Sequence, residues 1–388
     1  MTAAVCQACG APGPEVFYRQ SRVPANSCLL LDSEKEAISF PVGELELAFC
    51  DSCGFIGNIA FDPDLAEYSA RYEETQGFSP RFLEFAGGLA RTWVDRYVLS
   101  GRHVVEIGCG KGEFLTLMAE AGIGSGLGID PGVDPKRIDS PAADRLAWDT
   151  GLFDESYGPL EAAAVVCRHT LEHIPDVGRF LRLLRTALDQ SPDTVLLFEV
   201  PDTMRVLEEG AFWDVYYEHC SYFTMGSLVR LFRRCGFDVL DARTGYDGQY
   251  LLIEARPAEG AGEGPDIEDI DRIRRGVGSF VDAARTARQT WDERLADVSS
   301  GGGRSLIWGA SSKGVAFLVT MDGEVSAAVD INPNKHGKFM AGTGHEIVGP
   351  ERVPALDPQL VVVMNPIYVD EITADLRSRG VGAAIAAV

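Results

Sequence analysis

No stretch of this sequence is apolar for long enough to cross a bilayer, and its first residues, MTAAVCQACG, carry neither the basic nor the apolar region of a secretory leader. Basic residues are also scarce. Lys and Arg number 35 against 58 Asp and Glu, a formal net charge of −23, so the average field repels a nucleic-acid backbone. These shortages exclude a membrane span, argue against nucleic acid as substrate, and lead us to expect a cytoplasmic protein. A local basic pocket for one phosphorylated ligand stays compatible with them. The nine cysteines are an odd number in a chain without a leader, and four of them form two tight pairs, which favours metal binding over disulfides.

What the chain does have is length and apolar residues. Its 388 residues, 46% hydrophobic, suffice for two or three domains at about 150 residues each. We expect an α/β protein with a small N-terminal zinc-binding segment (1–64), a central Rossmann-like sheet (65–258) and a smaller C-terminal α/β unit (259–388). Phe82, Phe85, Leu89, Trp93 and Tyr97 recur at helical spacing, and the apolar strand His103–Ile107 follows. Strands at 126–129, 162–167 and 194–200 then alternate with amphipathic helices such as 177–188, the pattern of a parallel sheet. A Pro-, Gly- and acid-rich stretch, 256–271, reads as a linker before a long charged helix over 270–298. Strands at 305–308, 327–330 and 360–363 make the last unit.

Cys6-Gln-Ala-Cys9 and Cys50-Asp-Ser-Cys53 are two C-x-x-C knuckles, each followed by glycine, at Gly10 and Gly54. Glycine lets the backbone turn its amides toward thiolate sulfurs, and four thiolates suit zinc in a closed, structural site. Cys28, Cys109, Cys167, Cys220 and Cys235 lack such partners and read as packed thiols.

The most informative stretch is Val104-Val105-Glu106-Ile107-Gly108-Cys109-Gly110-Lys111-Gly112, a strand running into alternating glycines. A dinucleotide fingerprint needs G-x-G-x-x-G to seat a pyrophosphate on a helix N-terminus. Here Glu106 stands two residues before the first glycine, where a carboxylate repels a pyrophosphate but can receive an ammonium. Asp130 ends the next strand at about the distance where a carboxylate can hold ribose hydroxyls. On these residues the chain resembles class I S-adenosylmethionine-dependent methyltransferases. The resemblance extends to Asp149 with Phe153, which looks like the family's adenine-flanking loop, and to Cys167-Arg168-His169-Thr170-Leu171-Glu172-His173-Ile174-Pro175, similar to its L-E-H-I motif. It implies Glu106, Gly108, Gly110, Gly112, Asp130, Asp149, Phe153 and His169 as donor-site residues.

The order of knuckles, methyltransferase core and C-terminal unit further resembles the zinc-containing C-methyltransferases of nucleotide-linked 4-keto deoxysugars. Tyr216-Tyr217-Glu218-His219, Trp308-Gly309-Ala310-Ser311-Ser312-Lys313-Gly314 and Asp330-Ile331-Asn332-Pro333 carry this likeness. It implies catalytic roles for Tyr216, Glu218, His219 and His173, and acceptor contacts for Tyr72, Tyr222, Lys313 and Asn332. Removing a proton next to a ketone needs a base that titrates near neutrality, and His219 is the expected one, with His173 or Tyr216 on the enolate oxygen. The Gly309–Gly314 turn reads either as a phosphate cradle with Lys313 at its rim or as a structural turn. Glu74 stands where the resemblance implies a second tyrosine. Transfer to oxygen or nitrogen, or a non-catalytic zinc- and nucleotide-binding protein, are the competing expectations.

Overall fold

The computed structural model describes residues 4–267 and 269–388. Near the N-terminus, strands β1 (Glu15–Pro24), β2 (Val42–Phe49) and β3 (Ile56–Asn58) form an antiparallel array. The middle of the chain supplies β4 (His103–Ile107), β5 (Ser125–Ile129), β6 (Leu146–Asp149), β7 (Ala164–Arg168), β8 (Val195–Pro201), β9 (Ser221–Tyr222), β10 (Phe237–Gly245) and β11 (Tyr250–Pro257). Seven of these, in the order β10-β11-β8-β7-β4-β5-β6, make the central sheet. Its β8-β7-β4-β5-β6 part is parallel and the β10/β11 hairpin closes one edge antiparallel. The inner strands β4 and β7 are buried along nearly their whole length, and their apolar cores, 104–105 and 164–167, run into the buried charged residues Glu106 and Arg168.

The last sheet, β12 (Ser305–Trp308), β13 (Ala327–Val329), β14 (Ile347–Val348), β15 (Leu360–Val363) and β16 (Ala384–Ala387), is wholly parallel in the order β14-β13-β12-β15-β16. Strand order reverses between β4 and β7 in the central sheet and between β12 and β15 here. Such switch points leave a crevice at the carboxyl ends of the strands, where ligands bind. In this fold both crevices open into one cavity of about 990 Å³, lined from Gly108 and Asp130 on one side and Gly309 and Asn332 on the other.

The N-terminal strands are tied to the middle of the chain, because β3 pairs with β9, taken from residues just after His219. Val23, Leu45, Leu47 and Phe49 share a core with Phe280 of the helix Ile270–Ser300 and Phe317 of the helix Ser312–Thr320. The expected linker begins later. Arg256 still belongs to β11, and the backbone beyond it lies along β10, with the Val239 N–H donating to Glu263 O at 2.7 Å. Glu268, within that stretch, lies outside the described residues. No helix among the described residues is long and apolar enough to cross a membrane.

Candidate active site

The glycine loop after β4 is held from three sides. Gly108, Gly110 and Gly112 have φ of 72°, 52° and 83°, in the left-handed region that favours glycine. A Cβ on Gly108 would stand 1.9 Å from Thr170 Oγ1, and one on Gly112 would stand 2.6 Å from the Trp148 ring. The glycines are therefore demanded by the protein's own neighbours as well as by the approach of a ligand. Asp130 braces the loop: its Oδ2 accepts from Gly110 N at 3.0 Å and its Oδ1 from Gly132 N at 2.6 Å. Glu106 is 2% exposed, its Oε2 has no hydrogen-bond partner, and burial pushes its carboxyl up to about 8. An orphaned buried carboxyl oxygen beside a glycine cradle fits a ligand that brings an ammonium or another donor.

Beneath this loop lies a buried ion cluster. The parallel register of β7 and β8 sets Arg168 beside Glu199, with Nη2 and Oε1 at 3.1 Å, and the guanidinium rests 4.0 Å from the Phe114 ring centroid. His169 Nε2 lies 2.7 Å from Glu199 but off hydrogen-bond alignment. Although burial opposes it, the charges of Arg168 and His169 hold the Glu199 carboxyl down at about 2, while Glu199 and Glu172 lift His169 to about 9.

On the other side of the cavity the box at 216–219 gathers the second group. His219 meets the Tyr216 ring at a 4.3 Å centroid distance and the His173 ring at 4.7 Å, edge to face. Tyr68 Oη lies 3.0 Å from His173 Nδ1. Burial lowers both histidines, His219 well below its ordinary value, so both imidazoles are neutral near pH 7, and in the empty site His219 is a weaker base than the near-neutral one expected from the sequence. Glu172 is 2% exposed, its carboxylate oxygens accept no hydrogen bond among the described residues, its Oε1 lies 3.6 Å from His169 Nδ1, and one of its oxygens lies within 4.8 Å of ring nitrogens of His173 and His219.

Most of the expected residues line this cavity: Glu106, Gly108, Gly110, Asp130, Phe153 and His169 at the donor loop, with Tyr72, His173, Tyr216, His219, Lys313 and Asn332 opposite. Four do not. Gly112 faces Trp148, and Asp149, on the edge strand β6, is exposed and caps its own loop by accepting from Gly151 N at 2.8 Å. Tyr222 turns its hydroxyl to Tyr216 O at 3.1 Å. Glu218 sits behind the wall as a tie, accepting from Ser27 N at 2.7 Å, Tyr72 Oη at 3.3 Å and Ser312 Oγ at 3.4 Å, with its carboxyl pushed up to about 7 by burial. Lys313 is engaged by Asp214 at 3.0 Å, and Asn332 donates to Glu73 at 2.8 Å. Tyr68 and Ser27 join the site without a motif among those quoted above, whereas Glu172 is the acid of the L-E-H-I stretch and was given no role by it.

The four knuckle cysteines converge against the helices Val177–Ala187 and Met225–Arg234, where Gly178 N donates to Gln7 O and Arg230 to Cys53 O. Cys6 and Cys53 Sγ are 3.7 Å apart, as are Cys9 and Cys50 Sγ, and all four sulfurs lie within 4.8 Å. Tetrahedral zinc with bonds of about 2.3 Å places sulfurs roughly 3.8 Å apart, so the donor set fits that ion. The other five cysteines are free and buried, as expected.

Comparison with known proteins places this geometry. A family described as a methyltransferase domain matches residues 81–242, and one described as a C-methyltransferase C-terminal domain matches residues 271–386. The chain is an S-adenosylmethionine-dependent methyltransferase. Among curated proteins it is 26% identical over 370 residues to the C-methyltransferase NovU of Streptomyces niveus, covering 88% of this chain and 85% of that one. Two solved structures align with part of it. The 1,6-didemethyltoxoflavin-N1-methyltransferase of Burkholderia thailandensis is 19% identical over 47% of this chain and 83% of its own, with a TM-score of 0.36. The magnesium protoporphyrin IX methyltransferase of Synechocystis PCC 6803 is 16% identical over 46% and 84%, also with a TM-score of 0.36.

For this methyltransferase the loop gives a first prediction. Gly108→Ala drives a methyl group into Thr170 Oγ1 and strains a left-handed residue, so the loop must shift away from its cradle geometry. Affinity for S-adenosylhomocysteine by calorimetry should fall about tenfold or more, the equivalent of 1.4 kcal/mol or above. Unchanged affinity would mean that the loop relaxes without consequence.

Proposed function

We propose that this enzyme methylates the carbon next to a ketone in a nucleotide-linked sugar, with His219 as the base and His173 or Tyr216 on the developing enolate oxygen. The observation that carries the reading is a buried, neutral imidazole, His219, between an imidazole and a phenol in the wall of the cavity that also holds the glycine loop. The bound donor supplies an electrophilic methyl group on a sulfonium. His219 takes the α-proton, the electron pair left on carbon forms the bond to the methyl group, and the pair of the broken carbon–sulfur bond stays on sulfur. Glu172, which lies beside both imidazoles and accepts no hydrogen bond among the described residues, offsets the positive charge that His219 then carries. His173 or Tyr216 donates a hydrogen bond to the oxygen, and Glu218 fixes the Tyr72 and Ser312 hydroxyls and the Ser27 backbone around the acceptor.

Glu106 and Asp130 are proposed to hold the donor's ammonium and ribose, with Phe153 and His169 along the same wall, Asp149 stiffening the loop behind it. Tyr72, Lys313 and Asn332 are proposed on the acceptor side, the Gly309–Gly314 turn taking the nucleotide end, and Tyr222 supports Tyr216. The four cysteines are proposed to hold a structural zinc. We keep 1–64, 65–258 and 259–388 as the proposed domains, and the cytoplasm as the compartment in which nine cysteines persist without a disulfide.

The experiment is incubation with nucleotide sugars in heavy water, with and without methyl donor. Solvent deuterium should enter one ring carbon of the accepted 4-keto sugar even without donor, and that carbon should carry the methyl group when donor is added. Methylation at oxygen or nitrogen with no exchange would replace the carbon assignment, and binding with no turnover across the panel would leave only a binding protein.

A further inference from the structure

The segment 68–79 runs between the two halves of the cavity, and its side chains are shared between them. Tyr68 reaches His173 and Tyr72 reaches Glu218, both on the acceptor side. Between them and the donor loop stands Glu74. Its neighbours pin the backbone on either side: Glu73 accepts from Arg137 at 2.6 and 3.0 Å, and Thr75 hydrogen-bonds to Glu113. Glu74 is thereby aimed at the loop. A Cβ placed on Gly110 would lie 2.5 Å from Glu74 Oε1, while Glu74 Oε2, buried, has no partner among the described residues.

A donor whose reactive end must face His219 while its body lies on the glycine loop has to pass its sulfur through this junction. We propose that Glu74 reads the positive charge of the sulfonium there, favouring the methyl-bearing donor over the neutral thioether left after transfer. This rests on the donor reading given above. A carboxylate in a site of low dielectric strengthens binding of a cation far more than of its neutral counterpart. It thus serves as the charge-specific element of donor recognition, distinct from Glu106, whose proposed partner, the amino-acid ammonium, is present before and after transfer.

Burial pushes the Glu74 carboxyl up to about 7, with Lys111 opposing the rise and Asp130 and Glu73 adding to it. Near neutral pH the empty site therefore carries part of a proton on Glu74, which a cation displaces. The test uses the full chain and Glu74→Gln, with calorimetric affinities for S-adenosylmethionine and S-adenosylhomocysteine in two buffers of different ionisation heat at pH 7. The variant should bind the sulfonium about tenfold more weakly or worse, while its affinity for the thioether changes by less than about threefold. The proton released on sulfonium binding should also shrink in the variant. Equal losses for both ligands, or no loss for either, would overturn the inference. A wild-type protein that binds neither ligand would instead overturn the donor reading itself.

Discussion

Exchanging His219 for Asn should lower turnover of the carbon acceptor by about 10²–10⁴-fold, the usual contribution of a positioned general base. Asn keeps a polar group of similar reach in the wall but cannot accept the proton. Solvent deuterium exchange into the acceptor without donor should vanish in parallel, since it reports the same proton removal, whereas affinity for S-adenosylhomocysteine should survive because His219 faces the acceptor half. The pH profile supplies a second readout. Burial holds the His219 imidazole well below its ordinary value of 6.5, so the base is already neutral through the physiological range. The activity limb attributable to it should fall only well below pH 6.5, where it becomes protonated, and should disappear in the variant. Undiminished methylation by His219→Asn would remove the enolate mechanism and favour a neutral amine as acceptor, which needs positioning and no base.

The parts that were readable in the sequence are those whose physics is local. The strands His103–Ile107, Ser305–Trp308 and Leu360–Val363 are buried along nearly their whole length, so they appear as short, predominantly apolar runs with sharp ends. The glycine loop and the C-x-x-C pairs carry their geometry in their spacing. Long-range pairing leaves no such trace. Strand β9 is only Ser221 and Tyr222, and nothing around it announces that it completes a sheet begun before residue 60. Tyr68 meets His173 across 105 residues, and Lys313 finds Asp214 across 99. Within the box at 216–219, the sequence could not tell that Tyr216 and His219 face the cavity while Glu218 points backward to Ser27. Asp149 was read through a resemblance to a loop; its edge-strand position turns it toward solvent, and only the backbone it caps reaches the cavity wall.

Removing one of the cysteines proposed to hold zinc should have the largest effect on the fold, and through it on the site. In Cys53→Ser the tetrahedral set loses one thiolate, and apparent binding energies of structural zinc, about 10–16 kcal/mol in small zinc-binding units, exceed what most domains have in reserve. The loss would not stay local. Cys6, Cys50 and Cys53 are packed with Phe55, Val177 and Phe180, and Arg230 donates to Cys53 O at 2.9 Å from the helix Met225–Arg234. Strand β3 then carries the disturbance directly to the box, because Asn58 N donates to Cys220 O at 2.9 Å, one residue beyond His219. Elemental analysis should find one zinc per wild-type chain and much less in the variant, the melting temperature should drop by about 10 °C or more, and methyl transfer should fall with it. Prolonged chelation should reproduce all three changes. A purified wild-type protein without metal, or one whose four thiols form two reversible disulfides, would overturn the zinc assignment; the 3.7 Å sulfur separations suit four bonds to a shared ion and are too long for S–S bonds of about 2.05 Å.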